Sequence, residues 1–255
     1  TMYRTLGLTT FSKPCVLNFS GCFAVIFLIV STPTQLVAET TIVAFGDSTT
    51  ATRGQLNIYT QRLTSAAALK PLGLKIINAG IGGNNTSLAS KRFERDVLKH
   101  HPDIVIIQFG INDAAVDVWR TPPATLPRIS LQQFQANLKH FITTLKSQGA
   151  QVILMTPNPM RWTAKLKTLY GKAPYAVEDP DGFNRQLAKY AVSVRRLATE
   201  NNIPLIDIYQ VFQTYDKQSG QSIDTLLLDG MHPNDRGHQI IAKILIAEIM
   251  KLLPR

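Results

Sequence analysis

Thr41-Ile42-Val43-Ala44-Phe45-Gly46-Asp47-Ser48 is the stretch whose reading decides the fold. A short apolar run breaks off into Gly-Asp-Ser, polar residues follow, and a helical pattern sets in from about Asn57. That order describes a buried parallel strand handing over to a turn and then to a helix. A serine placed there stands at the carboxyl end of a strand, where open α/β sheets bind their ligands. Taken alone, Ser48 reads as a helix-capping serine. Whether it is a nucleophile depends on the rest of the chain.

Working outward, the same strand–turn–helix unit recurs. Residues 57–70 alternate with helical period and stop at Pro71-Leu72-Gly73. Residues 74–78 are the predicted second strand, running into the glycine-rich Ala79-Gly80-Ile81-Gly82-Gly83-Asn84-Asn85-Thr86. A charged amphipathic helix is expected over 86–100, and a third strand over 103–109 that ends in Gly110-Ile111-Asn112-Asp113. After a polar, proline-rich loop come a helix over 131–148, closed by Gly149, and a fourth strand over 151–155. A long irregular loop, 156–181, precedes a helix over 183–202 and a short strand over 204–208. A less regular segment then leads to Leu228-Asp229-Gly230-Met231-His232-Pro233, and a helix over 235–252 closes the chain. Strands alternating with helices imply right-handed crossovers and a parallel sheet covered on both faces. The expected fold class is α/β, a three-layer α/β/α sandwich with a mainly parallel five-stranded sheet. Strand order is not encoded in such local patterns.

The chain's 255 residues suffice for one well-buried domain, and no linker, repeat or charge block divides it. The N-terminal segment reads differently. Arg4 and Lys13 are its only charges, an apolar run follows from Val16 to Val30, and Leu36-Val37-Ala38 ends it with a small residue. This is the order of a secretory signal, so residues 1–38 are expected to be a cleaved leader and 39–255 the working domain. The run falls short of the ~20 residues of a spanning helix, so no stable membrane insertion is expected after processing, and the destination is periplasmic or extracellular. Both cysteines, Cys15 and Cys22, lie in the leader, which leaves the domain without disulfides or a Cys/His metal cluster. The net charge is +10; without Arg4 and Lys13 it is +8. No nucleic-acid motif accompanies that charge, so a basic, soluble surface is the reading and no nucleic-acid partner is expected. The sequence carries no signal of oligomeric state.

The polar punctuation falls where the strands end. Ser48 follows the first strand, Gly83 the second, Asn112 the third, and Asp229 with His232 the fifth. In a parallel sheet these ends share one edge, so residues distant in sequence meet in one crevice. Each residue type has a chemical reason to be there. A serine hydroxyl needs a base to take its proton, and histidine suits that task near neutral pH. The histidine needs an acid to hold its tautomer, and Asp229 lies three residues before it. A tetrahedral oxyanion needs donors aimed in advance, which the Ser48 and Gly83 N–H groups and the Asn112 amide could supply. A glycine at 83 would let the backbone approach closely.

Phe45-Gly46-Asp47-Ser48, Gly83 within Asn78-Ala79-Gly80-Ile81-Gly82-Gly83, Gly110-Ile111-Asn112-Asp113 and Asp229-Gly230-Met231-His232-Pro233 resemble, in order and spacing, the sequence blocks of the SGNH/GDSL hydrolases. The resemblance runs from about Thr41 to Leu253 and departs at Thr49, where the family's name expects leucine. It implies a flavodoxin-like fold and serine esterase chemistry through an acyl-enzyme, with no metal or organic cofactor. By position it implies Ser48 as nucleophile, His232 as base, Asp229 as its partner, and Ser48, Gly83 and Asn112 as the oxyanion hole. Asp47, beside the nucleophile, is expected to brace the turn rather than to serve as the acid.

Rival readings attach to several of these residues. His232, Asp235 and His238 have an even spacing that a metal site could use, though nothing else converges on it. His100 and His101 precede the third strand at the opposite edge, and His140 belongs to a helix surface. Trp119, Trp162, Tyr170 and Tyr175 lie in the long loops of the catalytic edge and are expected to bind substrate; the competing reading packs them on their own scaffold. Arg53, Arg161, Lys165, Lys167 and Lys172 make that edge basic, which favours an anionic or sugar-borne substrate. The expected function is therefore an exported serine esterase for small-molecule or glycan esters, with short acyl or O-acetyl groups on carbohydrate first. A lipase- or lysophospholipase-like lipid esterase, an acyltransferase using the same triad, and a non-catalytic glycan-binding module are the alternatives.

Overall fold

Parallel strands need cover on both faces, and alternation along the chain supplies it. A computed structural model describes residues 39–253; the expected leader, with Cys15 and Cys22, lies outside the described residues. β1 (Thr41–Gly46), β2 (Lys75–Gly80), β3 (Ile104–Gln108), β4 (Gln151–Met155) and β5 (Leu205–Ile206) form one sheet in the order β2-β1-β3-β4-β5. Every neighbouring pair is parallel. The helices are α1 (Tyr59–Ser65), α2 (Thr86–Ser90), α3 (Phe93–Asp96), α4 (Ile111–Ala114), α5 (Leu131–Ser147), α6 (Ala164–Tyr170), α7 (Asn184–Glu200), α8 (Ile208–Asp216) and α9 (Asp235–Leu252). No helix among the described residues is long and apolar enough to cross a membrane.

Successive strand residues point to opposite faces, so each apolar run feeds two cores. Val43, Phe45, Val105, Ile107, Val152 and Leu154 meet Phe93 of α3, Phe141 and Leu145 of α5, and Leu187 and Tyr190 of α7. Ile42, Ala44, Ile104, Ile106, Ile153 and Ile206 meet Tyr59 and Leu63 of α1, Phe212 of α8, and Ile241, Leu245 and Ile249 of α9. Phe45 anchors the first core, with ring centroids 5.6, 5.2 and 5.4 Å from those of Phe93, Phe109 and Phe141. The three-layer architecture and the five parallel strands expected from the sequence are present.

Where the elements differ from expectation, a side-chain interaction accounts for most of it. The single helix expected over 86–100 is broken into α2, α3 and a 3₁₀ turn at Leu98–His100. Arg92, at the break, turns inward and donates to the carbonyls of Gly46 (2.9 Å) and Ala79 (2.7 Å) and to Asn84 Oδ1 (2.7 Å). The helix over 57–70 shortens to α1, with a 3₁₀ turn at Lys70–Leu72. The loop 156–181 contains α6, capped by Thr163 Oγ1 accepting from the Leu166 N–H at 3.3 Å. The segment after β5 contains α8, whose cap Asp207 accepts from the Gln210 N–H (3.1 Å) and pairs with Arg195 at 2.7 Å.

At the catalytic edge β1 and β2 close on each other through Gly46, which lies opposite Gly80. A Cβ on Gly80 would sit 2.3 Å from the backbone nitrogen of Ala51. Backbone cannot rotate away as a side chain could. Gly80→Ala is therefore expected to cost ~1–3 kcal/mol of stability by overpacking and to lower activity through the turn that carries Ser48. Urea denaturation beside an esterase assay checks this; a variant of parental stability and rate contradicts it.

Candidate active site

Ser48 enters the site through the turn that ends β1. The Thr50 and Ala51 N–H groups donate to the Asp47 carbonyl at 3.2 and 3.0 Å, folding the chain back on itself. Asp47 points inward: its Oδ1 accepts the Thr49 N–H and hydroxyl, each at 2.9 Å, and its Oδ2 lies 3.5 Å from Asn112 Nδ2. Its hydrogen bonds thus brace the turn. Burial raises its pKa, against the pull of those donors. Ser48 itself stays half-buried, with its hydroxyl free to face His232.

His232 and Asp229 come from a hairpin between β5 and α9. The Leu228 N–H donates to the His232 carbonyl at 2.8 Å, and Asn234 caps α9 by accepting from Arg236 and Gly237 at 3.0 and 3.1 Å. Asn158, from the loop after β4, donates to the Met231 carbonyl at 2.8 Å and ties the hairpin to the sheet edge. Ser48 Oγ lies 2.9 Å from His232 Nε2, and His232 Nδ1 lies 2.8 Å from Asp229 Oδ2. The Met231 and His232 N–H groups also donate to Asp229 Oδ1, at 3.1 and 2.9 Å. Burial pushes the Asp229 carboxyl up, but the donors from His232 and Met231 outweigh it and hold it well below the usual carboxylate range. An ionised carboxylate only accepts, so Nδ1 carries the ring proton and Nε2 presents its lone pair to the Ser48 hydroxyl.

The three expected oxyanion donors follow three different strands, β1, β2 and β3. Neither the Ser48 N–H nor the Gly83 N–H has a hydrogen-bond partner among the described residues. Gly83 has φ +76°, and a Cβ there would meet nothing within 4 Å. The left-handed backbone at 83 favours glycine, and no protein atom crowds the position. Asn112, in α4, donates from Nδ2 to the Asn84 carbonyl at 3.0 Å and accepts at Oδ1 from Arg128 Nη1 at 3.1 Å. The 3.5 Å contact to Asp47 is at the outer limit of a hydrogen bond, so the second amide hydrogen is available to another oxygen.

The other candidates separate. His238 is buried and takes the Tyr59 N–H on Nδ1 at 3.3 Å, while Asp235 accepts from Arg62 (3.0 Å) and the Asn57 N–H (3.2 Å). With His232 facing Ser48, the evenly spaced trio does not converge. Of the four aromatics expected to bind substrate, only Trp119 is widely exposed, at 48%. Trp162 stacks on Phe183 at 4.5 Å, and Tyr170 and Tyr175 are buried edge to face at 5.7 Å. Three of the four thus pack against neighbouring aromatics. These three make a small core under the loops, and Tyr170 and Tyr175 line a cavity of about 40 Å³ beside Asn112 and Met231. Among the basic residues, Arg161 pairs with Asp181 (2.8 Å) and Asp216 (2.5 Å), and Arg53 lies 3.6 Å from Asp229 Oδ2. Sequence reasoning missed Arg92, Asp117 and Arg128 altogether. It quoted Asp113 only as part of a motif, yet that carboxyl is buried, with Oδ1 accepting from the Thr86 N–H (2.8 Å) and hydroxyl (2.5 Å) and no partner for Oδ2.

Comparison with known proteins points the same way. The GDSL-like Lipase/Acylhydrolase family matches residues 44–240. The chain is 31% identical over 214 residues to an uncharacterized lipoprotein of Bacillus subtilis (strain 168), covering 78% of this chain and 85% of that one. It is 29% identical over 188 residues to an acetylxylan esterase of Geobacillus stearothermophilus, covering 72% and 75%. The crystal structure of a lipase/acylhydrolase from Enterococcus faecalis superposes with a TM-score of 0.65 at 26% identity, covering 84% of this chain and 97% of that one.

The buried Asp113 gives stability a pH dependence of definite sign. Burial, reinforced by the charge of Asp47, pushes its pKa from 3.8 up to about 7. Between those values the folded state keeps a proton that the unfolded chain has released, so stability falls as pH rises through this window and levels off above it. Asp113→Asn removes the ionisation. The stability of the variant relative to the parent is expected to rise from pH 4 to pH 7 and then to stay constant. Urea denaturation at a series of pH values measures it, and a constant difference across the window contradicts it.

Proposed function

We propose that this chain, which belongs to the GDSL-like lipase/acylhydrolase family and is a carboxylic ester hydrolase, removes short acyl groups, above all O-acetyl, from carbohydrate outside the cytoplasm. The observation that carries the chemistry is the hydrogen-bonded line Ser48–His232–Asp229, with distances of 2.9 and 2.8 Å. Ser48 Oγ attacks the carbonyl carbon while His232 Nε2 takes its proton and Asp229 stabilises the imidazolium. The carbonyl π electrons move onto oxygen, which the Ser48 and Gly83 N–H groups and the Asn112 amide receive. When the tetrahedral species collapses, the C–O bond to the alcohol breaks and the alcohol leaves with the proton from Nε2. Water then repeats the sequence on the acyl-enzyme and releases the acid.

The short-acyl reading rests on the cavity beside Asn112. Its volume is about 40 Å³, Met160 and Met231 contribute to its wall, and Tyr170, Tyr175 and Phe183 close it. A methyl-sized acyl group fits there, whereas a long chain has to displace packed aromatics. The carbohydrate reading is supported by the exposed face of Trp119, which has the Arg120 guanidinium 5.4 Å from its ring and lies on the loop after β3. The acetylxylan esterase among the relatives points the same way. The leader pattern of residues 1–38 and the relative named as a lipoprotein support export.

A p-nitrophenyl ester series tests the proposal. Acetate is expected to be the preferred acyl group, with kcat/KM falling as the chain lengthens. Ser48→Ala is expected to lose ~10⁴-fold or more in kcat. Equal rates for parent and variant overturn the nucleophile, and a preference for long chains overturns the short-acyl reading in favour of a lipid esterase. Release of acetate from acetylated xylan by the parent and not by Ser48→Ala supports the carbohydrate assignment; hydrolysis of lipid esters alone overturns it.

A further inference from the structure

A chain of paired charges reaches the site from a direction the motifs do not reveal. Arg128 follows the proline-rich loop after β3, and its N–H donates to the Ala115 carbonyl at 2.9 Å, so its backbone is anchored beside α4. Its guanidinium grips Asp117 as a fork: Nε lies 3.0 Å from Oδ1 and Nη2 lies 2.7 Å from the same oxygen, with Oδ2 3.2 Å from Nε. The remaining arm, Nη1, donates to Asn112 Oδ1 at 3.1 Å. Asp117 is almost fully buried, at 3% side-chain exposure, and also pairs with Arg120 at 2.7 Å.

We propose that Arg128, held by Asp117, is a positioning residue that orients and polarises the Asn112 amide for the oxyanion. The inference rests on the reading of Asn112 as an oxyanion donor. A guanidinium can only donate, so the amide must turn Oδ1 to Arg128 and Nδ2 to the opposite side, where Asn84 and the site lie. An amide flip would set its NH₂ against a cation and take the acceptor away from Nη1. A positive charge on the carbonyl oxygen also draws electron density from the amide nitrogen, which strengthens Nδ2–H as a donor. Burial works against the charge on Arg128, but Asp117 outweighs it, so the guanidinium stays protonated throughout the working range. Asp117, shared with Arg120, holds the guanidinium in place and offsets part of its charge.

A double-mutant cycle tests this, with p-nitrophenyl acetate as the probe. Asn112→Ala is expected to lower kcat by ~10²–10³-fold, as loss of one oxyanion donor does. Arg128→Met is expected to lower kcat by ~10-fold or more with KM little changed, since it weakens a donor used in the transition state. Arg128→Lys, which restores a donor to Oδ1, is expected to recover part of the loss. The decisive result is the double variant: Arg128→Met in the Asn112→Ala background is expected to cause no further loss of kcat. An additive loss there, or an unchanged kcat in Arg128→Met alone, overturns the positioning role. An unchanged kcat in Asn112→Ala overturns instead the oxyanion reading on which it rests. If Arg128→Met does not fold, Asp117→Asn in both backgrounds completes the cycle, with the same non-additivity expected and additivity overturning it.

Discussion

The register of β1 against its neighbours is the constraint on which the site depends. Gly46 stands opposite both Gly80 of β2 and Gln108 of β3, so the first strand ends level with the strands on either side. Without side chains at 46 and 80 the turn after β1 can fold back onto the sheet edge. A Cβ on Gly46 would lie 2.1 Å from Thr50 Oγ1, and one on Gly80 would overlap the backbone at Ala51. Asn78 then locks the turn in place by donating to the Thr50 carbonyl at 2.8 Å. Ser48 is thereby held at an edge whose flanking segments, 81–86 and 110–118, carry Gly83 and Asn112.

Rigidity and charge are divided unequally between the two halves of the site. The half that would receive the oxyanion is built on buried polar groups: Asp47, Asp113, Arg92 and Asn112 are each less than a tenth exposed. Arg92 is spent on carbonyls at the ends of β1 and β2 and stacks over the Phe45 ring at 4.7 Å, so it serves as a strut. The half that would move the proton is more open, with the Asp229 side chain 44% exposed and Arg53 alongside. This division suits the chemistry. An oxyanion hole works by needing no reorganisation, whereas the base has to exchange protons with alcohol and water and must be reachable by both.

The sequence made the frame legible because the frame is periodic. Ile104-Val105-Ile106-Ile107 could hardly be anything other than a strand covered on both sides, and α9 follows its pattern to the residue. The strand-end motifs were legible for a related reason: topology alone brings Ser48, Gly83, Asn112 and His232 to one edge. What stayed hidden depends on single long side chains. Nothing local announces that Arg92 reaches back to the carbonyl of Gly46, or that Arg128 reaches Asn112, and the strut at Arg92 broke a helix that its own stretch of sequence favoured. The two-turn helix α8 was hidden because so short an amphipathic segment has little period to read.

Aromatic residues expose the other limit of local reading, since a tyrosine in a long loop has the same sequence signature whether it faces substrate or scaffold. Here the distinction comes from pairing across loops. The Tyr175 hydroxyl accepts the Val116 N–H at 2.8 Å, joining the loop after β4 to the one after β3, and its ring meets Tyr170, Trp162 and Phe183. The Tyr190 hydroxyl donates to the Ile129 carbonyl and draws α7 against the same loop. These contacts fasten both loops to the layer of helices beneath and close the floor of the cavity beside Asn112. On the proposed function, aromatic residues buried in this way would bound the depth of the acyl site and leave the alcohol portion to exposed groups such as Trp119. On that reading, widening the pocket for a longer acyl chain would require uncoupling two loops that share a buried core, a far larger change than replacing one residue in an open wall.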